Sequence, residues 1–440
     1  MRRLRRIFLA YATSGVSKLA TAGVQLLALP IVLAAAGSEK FGAMMTVAAM
    51  GSLLQFPALG FSSSVGYLMS SSIGHGDETE AAKWLRSALI VVAGIAALLL
   101  TAGLILIGFL PVHAFLGEGV KAFPAEARAM LLAALVHTIG VYLFNMVEGV
   151  RASFHENFIT NLYSSAGSGL SFVAVLLVAR VAPSLPHFYL ALFALPVFVQ
   201  GLNLTMFALG RSKAFRGNLA RGAIDPMPVI AKAVSYAKAQ AGIVLHLHGF
   251  TYLVSHMIGL TAGGAIGAAI RALVLLASFA QSLLNPVFPV ISQALVRLDA
   301  TGFKRYYLAA VAFSASYALA VGATFAVAGN HILELWLSIS IPGGEPVLLG
   351  MGLLAAGYLG GHLLFNILVY VDQSKYFGYS VGLSGIAGFA ISYFLLGRAG
   401  MSSALIANAS ILFVTAYCLQ LIWLFRFYRS AFPALPLATK

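Results

Sequence analysis

The sequence predicts an all-α integral membrane protein with twelve transmembrane helices arranged as two six-helix bundles. Of the 440 residues, 60% are hydrophobic and only 9% are charged, whereas a soluble domain has about 25% charged residues. Apolar stretches of about 20 residues, the length that crosses a bilayer, recur along the whole chain. Such a chain cannot cover a water-facing surface, so its solvent is lipid.

The twelve predicted spans are joined by short polar connections. They cover residues 10–36, 42–70, 87–110, 128–150, 160–180, 187–210, 237–260, 268–296, 306–328, 347–371, 376–397 and 401–425. A basic stretch near the midpoint separates six spans from six. We therefore predict an N-terminal bundle (1–210), a cytoplasmic linker (211–236), a C-terminal bundle (237–425) and a cytoplasmic tail (426–440).

The distribution of basic residues predicts the orientation. With the N-terminus inside, 20 of the 27 lysines and arginines fall in cytoplasmic segments and five in outer segments. Positive charge marks the cytoplasmic side of a membrane protein. We therefore expect both termini in the cytoplasm. This bias also accounts for the net charge of +14 without a nucleic-acid partner.

Several classes of function have no signature here. The sequence has no P-loop, no H-E-x-x-H, no G-x-S-x-G and no dinucleotide fingerprint. The single cysteine, Cys418, excludes an intramolecular disulfide. The histidines have no acids or cysteines beside them to complete a metal site. We therefore predict a protein that is not an enzyme and has no cofactor and no metal.

Two cations, Lys18 and Arg271, fall inside predicted spans, where charge is costly and tends to face a cavity. Lys18 shares a helix face with Ser14, Thr21 and Gln25; the alternative is that it reaches the cytoplasmic surface. Arg271 shares a face with three polar residues of the eighth span, and its alternative is contact with the outer headgroups. The three residues are Ser278, Ser282 and Asn285.

Other polar residues inside spans are candidates for the wall of a hydrated lumen or for ion coupling. In the seventh span, His246 is a candidate for ion coupling, and His248 and His256 are candidates for lumen contacts. Each histidine could equally be a satisfied polar group in the bundle interior. The remaining lumen candidates are Gln55 in the second span and Asn366, beside His362, in the tenth.

Two carboxylates near span ends are the other candidates for ion coupling. Glu148 precedes Arg151 by three positions on a predicted helix, so the two could simply form an ion pair. Asp372 follows the tenth span directly. Small-residue spacings at Gly263-x-x-x-Gly267 and Gly357-x-x-x-Gly361 predict close helix packing.

Short motifs give the chain a resemblance to a known group of proteins. They are Leu29-Pro30, Gly37-x-x-x-Phe41-Gly42, Ala269-x-Arg271-x-Leu273, Pro289-x-Ile291-Ser292 and Leu333-x-Leu335-Trp336-Leu337. With its length and twelve spans, the chain resembles the multidrug/oligosaccharidyl-lipid/polysaccharide exporter superfamily. Within it, the sequence is most similar to the O-antigen and polysaccharide flippases (Wzx type).

The resemblance implies a V-shaped pair of bundles that opens alternately to the two sides of the membrane. The cargo would be an oligosaccharide linked to undecaprenyl diphosphate, with polysaccharide polymerase and chain-length proteins as further partners. Arg271 matches an arginine of relatives that flip lipid II, and Lys18 matches their first-helix cations more loosely. Those relatives usually have two extra C-terminal helices that this chain lacks.

Three classes of function compete for this sequence. The first is the flippase, whose diphosphate cargo would need cations in the membrane interior. The second is a cation-coupled multidrug or metabolite antiporter on the same fold, which would need a buried carboxylate. The third, a polysaccharide polymerase or ligase, would need a large outer loop with clustered functional residues, and the longest outer loops are only 111–127 and 330–346. The sequence favours the flippase.

Overall fold

The computed structural model describes residues 2–285, 287–296, 299–370 and 374–431, and the regular elements in these ranges are all helices. This confirms the predicted fold class. The chain divides into two compact units. The first contains residues 1–241 and 254–267, and the second contains residues 242–253 and 268–440.

The first unit is built mainly from the helices that precede residue 242. They are α1 (Arg2–Ala36), α2 (Ser38–Gly74), α3 (Glu78–Phe109), α4 (His113–Leu116), α5 (Pro124–Phe144), α6 (Met146–Ser153), α7 (Asn157–Val181), α8 (Leu185–Tyr189), α9 (Leu195–Leu209), α10 (Lys213–Arg221) and most of α11 (Pro226–Val244). A short 3-10 helix, Glu118–Ala122, follows α4. A π-helical segment, π1 (Leu190–Ala194), joins α8 to α9.

The second unit contains the later helices and two further π-helical segments, π2 (Leu245–Gly249) and π3 (Phe413–Cys418). Its remaining elements are the start of α12 (Phe250–Met257), most of α13 (Leu260–Leu284), α14 (Val287–Val296), α15 (Ala300–Leu337), α16 (Gly344–Tyr370), α17 (Ser374–Arg398), α18 (Gly400–Leu412) and α19 (Leu419–Ala431). The C-terminal end of α12 and the start of α13 belong to the first unit.

Eleven helices in the described ranges are long and apolar enough to cross a membrane, and each corresponds to a predicted span. The seventh predicted span, 237–260, is not among them. The chain is helical there over α11, π2 and α12, but this helix carries Lys232, Lys238 and three histidines.

Glycines allow neighbouring helices to approach closely, as their spacing predicts. A Cβ on Gly357 of α16 would lie 2.9 Å from the backbone nitrogen of Phe413, and one on Gly361 would lie 2.7 Å from Cβ of Ala416. In the first unit, a Cβ on Gly42 of α2 would lie 2.0 Å from the carbonyl oxygen of Leu260. A larger side chain at these positions would force the helices apart.

The predicted linker, 211–236, is folded against the first unit. Phe215 of α10 is fully buried in the apolar core that α2 and α3 help to form. The Ser64 hydroxyl donates to the Val229 carbonyl oxygen over 2.9 Å, and the Asp225 backbone N–H donates to the Ser87 hydroxyl over 2.9 Å. Apolar burial and backbone pairing therefore hold this segment, and its exposed cations stay at the surface.

Candidate functional site

Glu148 lies on α6 of the first unit, with its side chain exposed but with many protein atoms around its carboxyl. The positive charge of Lys18, which is exposed on α1, acts on this carboxyl. The structure therefore brings together two candidates that the sequence separates by 130 positions.

The sequence-based alternative for Glu148, a pair with Arg151, is wrong. Arg151 instead donates from Nη1 to Glu156 Oε2 over 2.7 Å, and Arg211 donates from Nη2 to the same oxygen over 2.6 Å. The reason is the turn after α6. His155 adopts a positive φ of 55° there, which turns the chain so that Glu156 comes back beside Arg151.

The surroundings of this cluster explain how two guanidiniums are held beside one carboxylate. Arg151 also donates from Nε to Asn203 Oδ1 over 3.1 Å. The Arg211 guanidinium lies 3.9 Å from the ring centre of Phe154 and 4.1 Å from that of Phe207. Aromatic faces stabilise cations, so the second arginine is held partly by rings. We call Arg151, Glu156 and Arg211 the double-arginine cluster.

The polar stripe of α1 is divided between packing and exposure. The Thr21 hydroxyl lies 3.0 Å from the Ser168 hydroxyl of α7, so this member of the stripe joins two helices. Gln25 and Ser14 are half-buried, whereas Lys18 is exposed. The structure therefore leaves Lys18 as the accessible charged member of the predicted stripe.

Gln55 belongs to a hydrogen-bonded cluster in the first unit. Its Nε2 lies 3.3 Å from His137 Nδ1 and donates to the Thr138 hydroxyl over 3.1 Å. The same His137 nitrogen lies 3.3 Å from the Tyr189 hydroxyl, and Phe193 stacks on the imidazole. These contacts join α2, α5 and the α8–π1 segment around one imidazole.

A similar hydrogen-bonded cluster occurs in the second unit. The sequence analysis identified its residues His362 and Asn366 but not their partner from another helix. His362 Nε2 lies 3.0 Å from Gln281 Oε1, and Asn366 Nδ2 donates to the His362 carbonyl oxygen over 2.8 Å. Gln281 was not among the predicted residues. The signal that could have found it is repetition, because Gln281 follows Gln55 by 226 positions and His362 follows His137 by 225.

Arg271 lies on α13 and is half-buried. Its positive charge acts on His248 of π2, which is also half-buried. Ser278 and Asn285, predicted on the same face as Arg271, are half-buried as well. The structure thus gives Arg271 a partial exposure that suits a lumen position, and the lumen role itself stays a prediction.

The three histidines of the seventh span occupy different environments. His246 is fully buried; its Nδ1 lies 2.7 Å from Asn408 Oδ1 and its Nε2 lies 3.1 Å from the Ser384 hydroxyl. Since both ring nitrogens are bonded inside the packed unit, this geometry fits a structural group better than the predicted ion coupling. His256 is exposed at the end of α12, beside Gly117, and its predicted place in a lumen stays a prediction.

Asp372, the other predicted coupling carboxylate, lies outside the described residues. Within the described ranges, histidines, cysteines and acids do not gather in groups of three or more that could hold a metal ion.

Comparison with solved structures shows which known fold this chain shares. An inward-facing multidrug resistance MATE family transporter of the MOP superfamily superposes with a TM-score of 0.73 at 14% identity, over 96% of this chain and all of the other. The outward-facing conformation of a MATE family transporter gives 0.67 at 13%, over 97% of each chain. A MOP superfamily transporter from Pyrococcus furiosus gives 0.66 at 13%, over 96% of each.

The chain therefore has the helical fold of the MATE transporters of the MOP superfamily. The Pyrococcus furiosus structure is described as having a binding pocket of reversed polarity that suggests a different function. No protein-family model matches the sequence, and no curated protein matches it. The superfamily expected from sequence motifs agrees with this fold, and the flippase subgroup stays a prediction.

Proposed function

We propose that this protein is an alternating-access membrane transporter that exchanges an organic solute for a cation, with Glu148 as the cation-binding carboxylate. The fold supports the transporter class, since solved structures with this fold were obtained in inward-facing and outward-facing conformations. This function is the second of the three classes that compete for the sequence, the cation-coupled multidrug or metabolite antiporter. The comparisons support it better than the flippase, because two of the structures named above are described as multidrug resistance MATE family transporters.

The observation that carries the proposal is the environment of Glu148. Its carboxyl is accessible but surrounded by protein, and the arginine expected to neutralise it is bound to Glu156. An ionisable group in a membrane helix is energetically costly, and such a group therefore tends to mark a functional position. Lys18 compensates the carboxylate while no cation is bound, and an incoming cation takes over that compensation.

The test is exchange by purified protein in lipid vesicles, with ethidium as the organic cation and either a sodium or a proton gradient as the driving force. We expect gradient-driven ethidium movement in the wild type and its loss in Glu148→Gln. Glu118→Gln is the matched control, because Glu118 is a surface residue paired with Lys121 in the connection before α5. Equal exchange by the Glu148 and Glu118 variants would overturn the role of Glu148.

A second candidate function is supported by the half-exposed Arg271 and the exposed Lys18. Guanidinium groups bind phosphate oxygens through two parallel hydrogen bonds, which suits the diphosphate of an undecaprenyl-diphosphate oligosaccharide. In this case the protein serves polysaccharide or O-antigen assembly in the inner membrane, with both termini cytoplasmic. Polysaccharide polymerase and chain-length proteins would be its partners.

The flippase candidate has its own assay. A fluorescent undecaprenyl-diphosphate oligosaccharide is placed in vesicles, and the fraction that becomes accessible to an external quencher is followed with time. We expect Arg271→Ala to abolish flipping, and Arg271→Lys, which keeps the charge but loses the planar fork, to retain part of it. Wild-type flipping by Arg271→Ala would contradict the assignment.

A further inference from the structure

Two glutamine–histidine pairs occupy equivalent places in the two units. Gln55 of α2 meets His137 of α5 in the first unit, and Gln281 of α13 meets His362 of α16 in the second. These helices are the second and fourth spans of each half of the chain. The sequence separations, 226 and 225 positions, are nearly identical. The two halves therefore repeat one polar arrangement.

Each pair also lies beside an unusual helical segment. The π1 segment follows Tyr189, whose hydroxyl contacts the His137 ring. In the second unit, π3 packs on the glycines of α16 that precede His362, including Gly357 and Gly361. A π-helical turn inserts a residue into a helix and is frequent at functional sites. Its recurrence beside both pairs is an observation independent of the side chains.

His137 and His362 are more exposed than His246, the histidine whose geometry fits a structural role. His137, His362 and their glutamines are half-buried, so their rings are not enclosed within the packed units. His246, in contrast, is fully buried with Asn408 and Ser384 bonded to its two nitrogens. The fold thus contains both a fully buried and a half-buried histidine environment. The glutamine–histidine pairs have the half-buried environment, which suits a group that gains and loses protons.

We propose that His137 and His362 are two proton-binding sites, one in each unit, that act together with Glu148, and that the coupling ion of this transporter is the proton. An imidazole gains or loses charge between about pH 5 and 8. The inference rests on the proposed exchange function, which it deepens by naming the ion.

The hydrogen bonds show what a proton would change at His137. The amide Nε2 of Gln55 is a donor, and the Tyr189 hydroxyl can also donate, so Nδ1 serves as an acceptor in the neutral ring. Protonation converts Nδ1 into a donor facing these two groups. The contacts between α2, α5 and the α8–π1 segment must then rearrange, and π1 provides a turn where α-helical pairing is already interrupted.

The second site differs in its chemistry. Gln281 Oε1 is an acceptor, so His362 donates from Nε2, and a proton is taken up at Nδ1. Among the groups described, the titratable Tyr189 of α8 lies against the His137 ring and Tyr358 of α16 lies against the His362 ring. The proton enters or leaves the imidazole in each case, and no other bond forms or breaks.

The first experiment measures protonation without transport. Protein labelled with nitrogen-15 in its histidines is placed in lipid vesicles, and the imidazole nitrogen shifts are followed by solid-state NMR as the pH is changed. His137→Asn and His362→Gln identify the two signals, because these amides can replace the hydrogen bonds of Nδ1 and Nε2 respectively. We expect both rings to titrate between about pH 5 and 8. Rings that stay in one protonation state throughout would overturn the proposal.

The second experiment measures coupling in the same vesicles. We expect a proton gradient to drive ethidium exchange in the wild type, and His137→Asn and His362→Gln to lose this pH dependence while remaining folded. His75→Asn, at an exposed position after α2, is the matched control. Exchange that depends on pH as in the wild type in both variants would overturn the coupling role. Wild-type protein that exchanges nothing, although its two rings titrate, would instead contradict the proposed function.

Discussion

Glu148 and Glu156 lie eight positions apart at the two ends of one short stretch, yet their environments are opposite. Glu156 is largely buried, with 13% of its side chain exposed, and one of its oxygens accepts from both Arg151 and Arg211. Glu148 is exposed, and Lys18 acts on it only electrostatically. The comparison teaches that the neighbouring arginine stabilises the fold through one carboxylate and leaves the other exposed.

The largest expected effect comes from removing the anion of the double-arginine cluster. Glu156→Ala leaves two guanidiniums side by side in a largely buried site, and breaking a buried ion pair in this way costs about 3–5 kcal/mol. We expect a marked fall in the apparent melting temperature of the protein in detergent. Glu148→Ala is the matched control and should melt like the wild type. Similar melting temperatures for both variants would contradict the claim that Glu156, unlike Glu148, stabilises the fold.

Arg151→Ala should have the next largest effect on stability. Glu156 keeps its contact with Arg211, but the hydrogen bonds of Arg151 to Glu156 and Asn203 are lost. No buried charge is left without a counter-charge, because Arg211 still pairs with Glu156, so the loss of melting temperature should be smaller than in Glu156→Ala. A fully stable Arg151→Ala protein would show that Arg151 does not stabilise the turn after α6.

Arg211→Ala sharpens the comparison further, because Glu156 retains its buried partner Arg151. The variant loses one ion-pair contact and the contacts with the rings of Phe154 and Phe207. A cation–aromatic contact contributes about 0.5–2 kcal/mol. We expect a modest fall in melting temperature, and Arg211→Lys should recover less than the full difference because an ammonium cannot lie flat between two rings. A larger loss than in Arg151→Ala would reverse the expected order.

The smallest effect is expected at Glu118, a carboxylate paired at the surface. Its hydrogen bond with Lys121 lowers the pKa of the Glu118 carboxyl below its usual value. Because the pKa is lowered in the folded protein, the stabilisation is present at neutral pH and is lost as the pH falls through that pKa. Exposed ion pairs contribute little, so Glu118→Gln should melt like the wild type at neutral and at acidic pH. A melting difference that disappears on acidification would show a stronger pair than expected.

The fate of Arg151 shows where prediction from sequence stopped. Spacing along a helix favours a partner three positions away, and that criterion selected Glu148. The actual partner, Glu156, lies five positions away across a turn with a left-handed residue at His155. Helical periodicity does not extend past the end of a helix, so the sequence could not rank the two acids.

The glutamine–histidine pairs show a related limit. Gln55, His362 and Asn366 were recognisable as polar residues in apolar spans, because such residues are costly there and stand out. Their partners His137 and Gln281 come from different helices, and helix packing decides which residues face one another. Only the repeated spacing in the two halves held information about these contacts.

Composition and the lengths of the apolar stretches by themselves determined that this is a helical membrane protein. Lipid offers no partner for backbone polar groups, so each apolar stretch must satisfy its own hydrogen bonds as a helix. The tertiary structure decided which charges are neutralised and which stay accessible. That outcome depends on interactions between distant residues, since the charge of Lys18 acts on Glu148 and Arg211 binds Glu156, and such interactions exist only once the helices have packed.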